Sequence, residues 1–371
     1  MLTQGDFVCT SCGRQYPLNT RDWLCECVGL FGFGRRKPLD PARIDYARQG
    51  LWRYRDLLPL DPTWEAVDLG EGGTPLVPAS WQGVRLLFKL EYLAPTGSFK
   101  DRGTSVLVTA LRGMGVDQVV EDSSGNAGAS LSAYAARAGL GCEVCVPHTA
   151  SGPKLAQMAT HGAEVIEIKG RREYAALAAW AAAAHGAYYA SHVYNPFFLA
   201  GVETLAFELW DQLDHRQPDA LILPVGNGTL LLGVFRGFRR LQQAGLISSL
   251  PRLFAVQTEA CAPVAQAFTS GGNTVTAVAS GPTVATGIAV GNPVRAPQIL
   301  AAIRDSDGAA VTVTEEQIVE TRGQLARQGF YVVATSAAAV AAIPQLRSDL
   351  GQAETLVVPL TGHGLKEYIV A

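Results

Sequence analysis

The chain has 371 residues, of which 48% are hydrophobic and 17% are charged, and its formal net charge at pH 7 is -3. This length exceeds what one ordinary hydrophobic core serves, so we expect two main domains. The composition is typical of a globular α/β enzyme, and the small negative charge excludes any electrostatic argument for nucleic acid or an anionic membrane as partner. No apolar run is long enough to span a bilayer, and the N-terminus lacks a signal pattern, so we expect a cytoplasmic protein.

Four of the seven cysteines lie within the first thirty residues, at Cys9, Cys12, Cys25 and Cys27. A C-x2-C pair followed by a C-x-C pair resembles a zinc ribbon, in which two short loops offer four thiolates to one tetrahedral ion. The second pair is tighter than the usual C-x2-C, and a vestigial or disulfide-linked knuckle is the alternative. We favour a bound zinc ion over this alternative. Its role would be structural, because four protein ligands leave no open position for catalysis.

Beyond about residue 60, short β-branched or apolar runs alternate with alanine-rich helical runs. This alternation predicts parallel sheets with helices on both faces. In chain order, the predicted strands are 118–122, 142–147, 164–168, 220–224, 252–257 and 356–360. The predicted helices are 128–138, 153–161, 171–185, 199–213 and 230–243.

Four glycine-marked loops lie where open α/β sheets bind ligands, at strand ends and helix starts. The loop of residues 95–103 carries Lys100, whose amine can form a Schiff base with an aldehyde cofactor if it is held still and can lose its proton. The loop 123–128 offers hydroxyls and backbone amides that suit a carboxylate, so we expect substrate contacts from Ser123, Ser124, Gly125 and Ala127. The loop 224–229 allows close approach of a phosphate to a helix N-terminus. The loop 360–366 follows the last predicted strand.

Together and in this order, these loops resemble those of a known family. The chain is similar to the pyridoxal-phosphate enzymes of the tryptophan-synthase-β group (fold type II), and most similar to the threonine synthases. The similarity covers about residues 70 to 368. It rests on the segments GTPL (73–76), PTGSFKDRG (95–103), SGN (124–126), GNG (226–228), ATGIAVGNP (285–293) and TGHGLK (361–366).

The resemblance implies a fold and a set of cofactor contacts. Two domains are expected, each an open, mostly parallel sheet flanked by helices. Lys100 takes the role of the Schiff-base lysine, and Asn126 contacts the ring oxygen of pyridoxal 5'-phosphate. Thr361 faces the pyridine nitrogen, where a hydroxyl cannot hold a proton on the ring, so elimination and replacement are favoured over transamination. The phosphate is expected to bind Gly226, Asn227, Gly228 and Thr229.

The predicted domains are a cysteine-rich, zinc-ribbon-like unit at 1–36, a small α/β domain at 105–199, and a large cofactor-binding domain at 37–104 and 200–371. We expect an amino-acid substrate and a homodimer, without nucleic acid or membrane. The basic run at 35–37 is interpreted as a solvated linker.

Two segments depart from the threonine-synthase pattern. Phe198 occupies the position of an arginine that grips the phosphate of O-phosphohomoserine, and His192-Val193 replaces an Asn-Ser pair. Phenylalanine cannot imitate a bidentate guanidinium. We interpret His192 as a packed or solvated side chain rather than a substitute cation, and an arginine at 171, 172 or 295 could restore the phosphate site. At 333–336 the sequence is Val-Ala-Thr-Ser, where relatives commonly have Glu-Pro before the hydroxyl pair.

The predicted activity is therefore that of a pyridoxal-phosphate-dependent lyase resembling threonine synthase, which removes an α proton and then eliminates or replaces a group at the β or γ carbon. The alternative is a serine/threonine dehydratase or a diaminopropionate-type ammonia-lyase, with an unphosphorylated substrate. A non-catalytic binding protein that kept the fold is a third hypothesis. Retention of Lys100, Asn126 and Thr361 argues against it.

Overall fold

A computed structural model describes residues 6–34, 36, 38–150, 152–170, 172–351 and 353–367. The strands are β1 (Phe7–Cys9), β2 (Gln15–Tyr16), β3 (Phe31–Phe33), β4 (Leu76–Trp81), β5 (Val84–Lys89), β6 (Gln118–Glu121), β7 (Gly141–Pro147), β8 (Glu164–Ile168), β9 (Tyr188–Tyr189), β10 (Ala220–Pro224), β11 (Arg252–Thr258), β12 (Ala309–Val313) and β13 (Leu356–Pro359). The α-helices are α1 (Lys100–Gly113), α2 (Asn126–Ala138), α3 (Pro153–Thr160), α4 (Arg172–Ala184), α5 (Pro196–Gln212), α6 (Thr229–Gln243), α7 (Pro263–Thr269), α8 (Ala296–Asp305), α9 (Glu315–Arg327), α10 (Ala334–Ala341) and α11 (Arg347–Leu350).

The chain divides into two compact units. The first comprises the described residues of Met1–Glu71 and Lys100–Val202, and the second those of Gly72–Phe99 and Glu203–Ala371. The boundaries fall directly before Lys100 and inside α5. The domain limits predicted from the sequence stay a prediction.

The first unit contains a parallel sheet with the strand order β8-β7-β6-β9. Its two faces are covered by different helices, as β7 shows. Cys142 points toward Ser132 of α2, whereas Cys145 packs with Ala175 and Ala179 of α4. Successive side chains of a strand alternate between faces, so residues three apart contact opposite layers.

The cysteine-rich segment forms a small antiparallel sheet of order β2-β1-β3 in the same unit. Phe7 of β1 stacks on Phe31 with ring centroids 5.7 Å apart and meets Phe197 of α5 edge-on at 5.4 Å. Trp23, between the two cysteine pairs, stacks on Trp180 of α4 at 5.2 Å. These aromatic contacts attach the segment to the α/β body of the unit.

The second unit contains a sheet of order β12-β11-β10-β13-β5-β4. Its strands run parallel except for β4, which pairs antiparallel with β5 at the edge. Pro78 lies in β4, where a missing backbone donor is tolerated at an edge. Helix α10 packs on the sheet, and Ala337, Ala338 and Val340 are fully buried in the core.

A buried ion pair holds the start of β4 in the second unit. The Lys89 ammonium contacts the Glu208 carboxylate and lies 2.9 Å from Gln212 Oε1. Glu208 accepts a hydrogen bond from the Gly73 amide at 2.9 Å, and Thr74 donates to Glu91 at 2.6 Å. Because buried charges need such partners, this network explains the polar residues of the segment 73–76 without a ligand.

The predicted fold class is confirmed: each unit is a mostly parallel α/β sheet flanked by helices, apart from the small cysteine-rich sheet. The predicted helix 199–213 begins earlier, at Pro196, because the Asn195 side chain accepts a hydrogen bond from the Phe197 amide at 2.9 Å and starts the helix. Among the described residues, no helix combines the length and the apolarity that crossing a membrane requires.

Candidate active site

Lys100 begins α1 in the first unit. Lys100 is partly buried, and this burial lowers the pKa of the amine to about 8 although the negative charge of Glu121 opposes the change. The Nζ atom lies 5.5 Å from the centroid of the Phe198 ring. A lowered pKa increases the neutral fraction of the amine near pH 7, and the neutral amine is the form that acts as nucleophile or base.

The loop 123–125 connects β6 to α2 in the same unit. It folds back tightly, since a Cβ atom at Gly128 would lie 2.1 Å from the Ser123 carbonyl oxygen. The Gly125 amide donates to Ser123 Oγ at 3.3 Å. Within the described chain, Oδ1 of Asn126 is buried and lacks a hydrogen-bond partner. An unsatisfied buried acceptor costs about 1–3 kcal/mol, and a ligand that donates a hydrogen bond removes that cost.

The first turns of α1 and α2 are tied together. Ser130 Oγ donates to Asp101 Oδ1 at 2.6 Å, and both residues are fully buried. Lys100 directly precedes Asp101 in α1, and Asn126 lies one helical turn before Ser130 in α2. The structure therefore places the predicted Schiff-base lysine and the predicted ring-binding asparagine at the starts of two adjoining helices.

Glu121 and His192 form a hydrogen-bonded pair that the sequence analysis did not predict. Glu121 ends β6, and His192 lies 71 residues later, between β9 and α5. His192 Nδ1 is 2.5 Å from Glu121 Oε1, and the His192 amide donates to the same oxygen at 3.3 Å. Burial raises the pKa of Glu121 to about 8, and burial together with the charge of Lys100 holds the pKa of His192 well below its usual value. His192 is therefore neutral and does not supply a substitute for the arginine.

Phe198 is fully buried, at the position where the threonine synthases were expected to have an arginine. Its ring packs on Gly103 in the first turn of α1, where a Cβ atom would lie 2.6 Å from three ring carbons. The ring also meets the His192 imidazole at a centroid distance of 5.7 Å. An apolar surface thus stands beside Lys100 where the family pattern has a cation.

The three arginines considered as substitutes fall in different places. Arg172 donates to Asp122 at 2.9 Å, next to the loop 123–125, with about half of its side chain exposed. Arg295, in the second unit, is fully buried and donates to Gln298 at 3.2 Å. Arg171 lies outside the described residues, as do residues 35 and 37 of the basic run.

The predicted phosphate loop joins β10 to α6 in the second unit. Gly228 is the N-cap residue of α6 with a φ of 73°, which favours glycine. A Cβ atom at Gly226 would lie 3.0 Å from the Gly287 carbonyl oxygen, and one at Gly228 would lie 2.3 Å from Ile299 Cδ1. Crowding at Gly226, and crowding together with the positive φ at Gly228, disfavour side chains at both positions, so the loop presents its backbone. Amides at the start of α6 and the helix dipole suit an anion.

A series of close contacts links this loop to Thr361. Gly226 lies against Gly287, and a Cβ atom at Gly287 would be 2.7 Å from Thr335 Oγ1. The next residue, Ser336, accepts a hydrogen bond from the Thr361 amide at 2.8 Å, and the two hydroxyl oxygens are 3.0 Å apart. The second unit therefore assembles the loop 225–228, the segment around 287, the start of α10 and Thr361 in one place.

Two hydroxyls of the second unit were missed from the sequence. Ser336 orients Thr361, and its signal was the Thr-Ser pair at 335–336. Ser98 Oγ is buried, and the described part of the chain offers it no hydrogen-bond partner. Ser98 forms a β-bridge with Gly362, so it lies beside Thr361. Its signal was its place two residues before Lys100 in the SFK segment.

The residues present fit pyridoxal phosphate. The first unit offers a lysine amine of lowered pKa and an orphaned amide oxygen. The second offers a backbone cradle that excludes side chains and an orphaned buried hydroxyl. Taken one by one, the amine suits the aldehyde, Asn126 Oδ1 could accept a hydrogen bond from a ring hydroxyl, and the backbone cradle suits the phosphate.

The four N-terminal cysteines form a separate cluster. Their sulfur atoms all lie within 4.8 Å of one another, and all four are free. Cys9 and Cys27 are 3.5 Å apart, and Cys12 and Cys25 are 3.6 Å apart. Sulfurs at about 2.3 Å from a tetrahedral zinc ion are about 3.8 Å from one another, whereas a disulfide bond is about 2.05 Å long. The arrangement fits a metal site and not a disulfide-linked knuckle.

Hydrogen bonds prepare one of these sulfurs for a metal. Burial opposes ionisation of Cys9, but amide hydrogen bonds from Cys12 and Ser11 outweigh it and lower the pKa of the Cys9 thiol to about 6. Tyr16 donates its hydroxyl proton to Cys25 at 3.2 Å. A thiolate is the form that binds a metal.

Comparisons with known proteins agree with this arrangement. A protein family described as "Pyridoxal-phosphate dependent enzyme" matches residues 67–362. The threonine synthase of Methanocaldococcus jannaschii is 38% identical over 97% of this chain and 92% of its own length, and that of Methanosarcina acetivorans is 37% identical over 97% and 91%. Among solved structures, a threonine deaminase from T.th. is 27% identical with a TM-score of 0.68, covering 80% of this chain and 94% of that one. These similarities include residues of both compact units.

Proposed function

This chain belongs to the family of pyridoxal-phosphate dependent enzymes, and we propose that it acts on O-phosphohomoserine to form threonine. The observation that carries this proposal is the similarity to threonine synthases over nearly the whole length of both chains. The coarser assignment, a pyridoxal-phosphate-dependent lyase similar to threonine synthase, confirms the prediction from the sequence.

We assign the cofactor contacts as follows. Lys100 would hold the aldehyde carbon, Asn126 the ring oxygen, and Thr361 would face the ring nitrogen. The backbone cradle would hold the phosphate through Gly226, Asn227, Gly228 and Thr229. When bound, the cofactor supplies a sink for the electron pair left on the α carbon after proton removal.

The protein residues bind, orient and move protons. The Lys100 amine, with its pKa lowered to about 8, accepts the α proton and can return it to another carbon of the substrate. The amides and hydroxyls of residues 123–125 and 127 would hold the substrate carboxylate at the start of α2. Thr361, fixed by Ser336, would present a neutral hydroxyl to the ring nitrogen. A hydroxyl would not hold a proton on that nitrogen, which would disfavour transamination.

A dehydratase or ammonia-lyase acting on an unphosphorylated amino acid is the second candidate. The observation that favours it is the buried Phe198 ring beside Lys100, where a substrate phosphate would need a cation. The neutral state of His192 removes one possible replacement. The similarity to a threonine deaminase shows that the same fold hosts such a protein.

Product analysis of the purified, cofactor-loaded full chain separates the two candidates. O-phosphohomoserine should release inorganic phosphate and threonine in equal amounts, with a kcat/KM at least tenfold above that for serine, threonine or diaminopropionate. Faster release of a 2-oxoacid from one of the three unphosphorylated amino acids would support the second candidate instead. A chain that binds no cofactor and turns over none of these compounds would favour the non-catalytic hypothesis.

We also propose that the cysteine cluster binds one structural zinc ion through Cys9, Cys12, Cys25 and Cys27. The sulfur geometry and the lowered pKa of Cys9 support this assignment. A homodimeric, cytoplasmic enzyme without nucleic-acid partners remains our proposal for its assembly and location. Light scattering of the purified protein would measure the mass of the assembly.

A further inference from the structure

Glu121 is a buried residue and His192 a mostly buried one, and the proposed mechanism uses neither of them. The Glu121 side chain is 2% exposed, and the His192 side chain is 14% exposed. One carboxylate oxygen of Glu121 meets both the ring and the backbone amide of His192. Because His192 contacts this oxygen through both its ring and its amide, the orientation of the Glu121 carboxyl group is fixed.

The surroundings of the pair connect it to Lys100. The Phe198 ring contacts both Lys100 and His192. Its centroid is 5.5 Å from Lys100 Nζ and 5.7 Å from the centroid of the His192 ring. The other charged groups nearby are Asp122, next in the chain after β6, and Arg172 at the start of α4, which are paired at 2.9 Å. Tyr189 of β9 donates its hydroxyl proton to Asp122 at 2.7 Å.

These charges act on one another in a consistent way. The negative charge of Glu121 favours the protonated form of Lys100, and the positive charge of Lys100 favours the ionised form of Glu121. Burial opposes both charges and brings the pKa of each group to about 8. The neutral His192 leaves one proton to be placed between its Nδ1 and the Glu121 carboxyl group.

We propose that Glu121, held in place by His192, is a positioning residue that sets the protonation of Lys100. With Glu121 ionised, the lysine keeps its proton. When Glu121 is protonated, this attraction is lost and the pKa of Lys100 falls, which favours the neutral amine. The inference rests on the proposed role of Lys100 but not on the identity of the substrate, so it holds for either candidate reaction.

The test measures the protonation of the Lys100 nitrogen directly. In the loaded full chain, the visible absorption of the cofactor is followed as a function of pH. In the same full chain freed of cofactor, brief labelling with acetic anhydride and mass spectrometry give the pH midpoint of the Lys100 amine, because only the neutral amine reacts. Both measurements are independent of turnover.

Glu121→Gln removes the negative charge and keeps the shape of the side chain. We expect both midpoints to fall by about one pH unit, the size of shift that a nearby charge produces. Glu121→Asp should restore most of the wild-type midpoint. Glu143→Gln is the matched control, since Glu143 lies in the neighbouring strand β7 in register with Val120, and it should leave both midpoints unchanged.

His192 provides a second, independent pair of variants. His192→Ala should lower the midpoint by less than Glu121→Gln, because the carboxylate loses a hydrogen-bond donor and is ionised less readily. His192→Asn retains a donor and should lie nearer to wild type. A midpoint in Glu121→Gln that stays within about 0.3 pH units of wild type, or that rises, overturns the proposal. If Glu121→Gln does not fold, equal midpoints in His192→Ala and wild type overturn it.

The result separates this inference from the proposed function. Absence of phosphate release from O-phosphohomoserine would remove the substrate assignment and leave the midpoint shifts as expected. Conversely, active Glu121→Gln protein with an unchanged midpoint would remove the positioning role and leave the substrate assignment intact.

Discussion

The two compact units offer different kinds of chemistry. In the first unit the groups are ionisable: Lys100 and Glu121 act on each other through charge, and the charge of Lys100 helps to lower the pKa of His192. In the second unit the groups are backbone amides and hydroxyls. The backbone packs closely at Gly226, where a side chain would be crowded, and the Ser336 hydroxyl accepts a hydrogen bond from the Thr361 amide.

Function and stability are therefore coupled differently in the two units. A group that acts through its charge can be altered without disturbing packing, so chemistry can be lost while the fold is kept. A group that acts through shape is also a packing contact. Changing it should weaken ligand binding and the free energy of unfolding together.

Lys100→Ala should have the strongest consequence, because it removes a group of the first unit that acts through its charge and its reactivity. Turnover should fall at least about a thousandfold, because the nucleophile and base are lost together. The free energy of unfolding should change by less than about 1 kcal/mol, since burial already disfavours the charged amine in the folded state. Turnover, visible absorbance and urea denaturation measure the three quantities. A variant with full turnover and unchanged absorbance contradicts the assignment of Lys100.

Cys27→Ser, or treatment with a strong chelator, should remove zinc and destabilise the first unit by several kcal/mol, because metal binding and local folding are one process. Metal analysis should find one zinc ion per wild-type chain. Near-ultraviolet circular dichroism should report the loss of the Trp23 contacts. Cys261→Ser, a buried cysteine of the second unit, is the control and should keep its zinc. Metal-free wild-type protein would contradict the zinc assignment.

Gly228→Ala changes a residue of the second unit that acts through its shape. Gly228 and Gly245 flank α6 with the same φ of 73°, but a Cβ atom at Gly245 meets nothing within 4 Å. We expect Gly245→Ala to cost about 1–2 kcal/mol from backbone strain and Gly228→Ala about 1–3 kcal/mol more from the contact with Ile299. Only Gly228→Ala should also weaken cofactor binding, measured by fluorescence titration. Equal effects of the two variants would show that shape at the loop is unimportant.

Ser336→Ala should have the mildest consequence, but it should lower both the free energy of unfolding and the cofactor affinity. It leaves the buried Thr361 amide without its acceptor, which costs about 1–3 kcal/mol, and it should reduce cofactor affinity. Ser132→Ala is the matched change in the first unit, where the hydroxyl donates to a carbonyl of its own helix, Gly128, and accepts a long, weak hydrogen bond from Cys142 Sγ at 4.0 Å. It should cost less than about 1 kcal/mol and leave affinity unchanged. An equal loss of cofactor affinity in both variants would contradict the claim that stability and binding are coupled only in the second unit.

Much of the fold was predictable because its signals are local. The strand 220–224 and the helix that follows it are marked by an apolar run, two glycines and an amphipathic repeat, and the structure has them within one residue of their predicted limits. Helix α9 was not predicted, although Thr314 and Gln317 form a capping box that the sequence displays. The edge strand β4 was also missed, because Pro78 interrupts its pattern.

The contacts that tune the candidate site were not predictable, since they join residues distant in sequence. Glu121 and His192 are 71 residues apart, and Ser336 and Thr361 are 25 apart. Neither pair has a local pattern, and each depends on how strands and helices are arranged. The family pattern also identified a missing glutamate near 333, but it gave no indication of Glu367, which accepts a hydrogen bond from the Ala334 amide at 3.0 Å.

The contact between Gly103 and Phe198 makes the two positions dependent on each other. The ring occupies the space that a side chain at 103 would need. A larger residue at 103 would require the ring to move or residue 198 to become smaller. Substitutions at the two positions should therefore be non-additive, although the positions lie far apart along the chain.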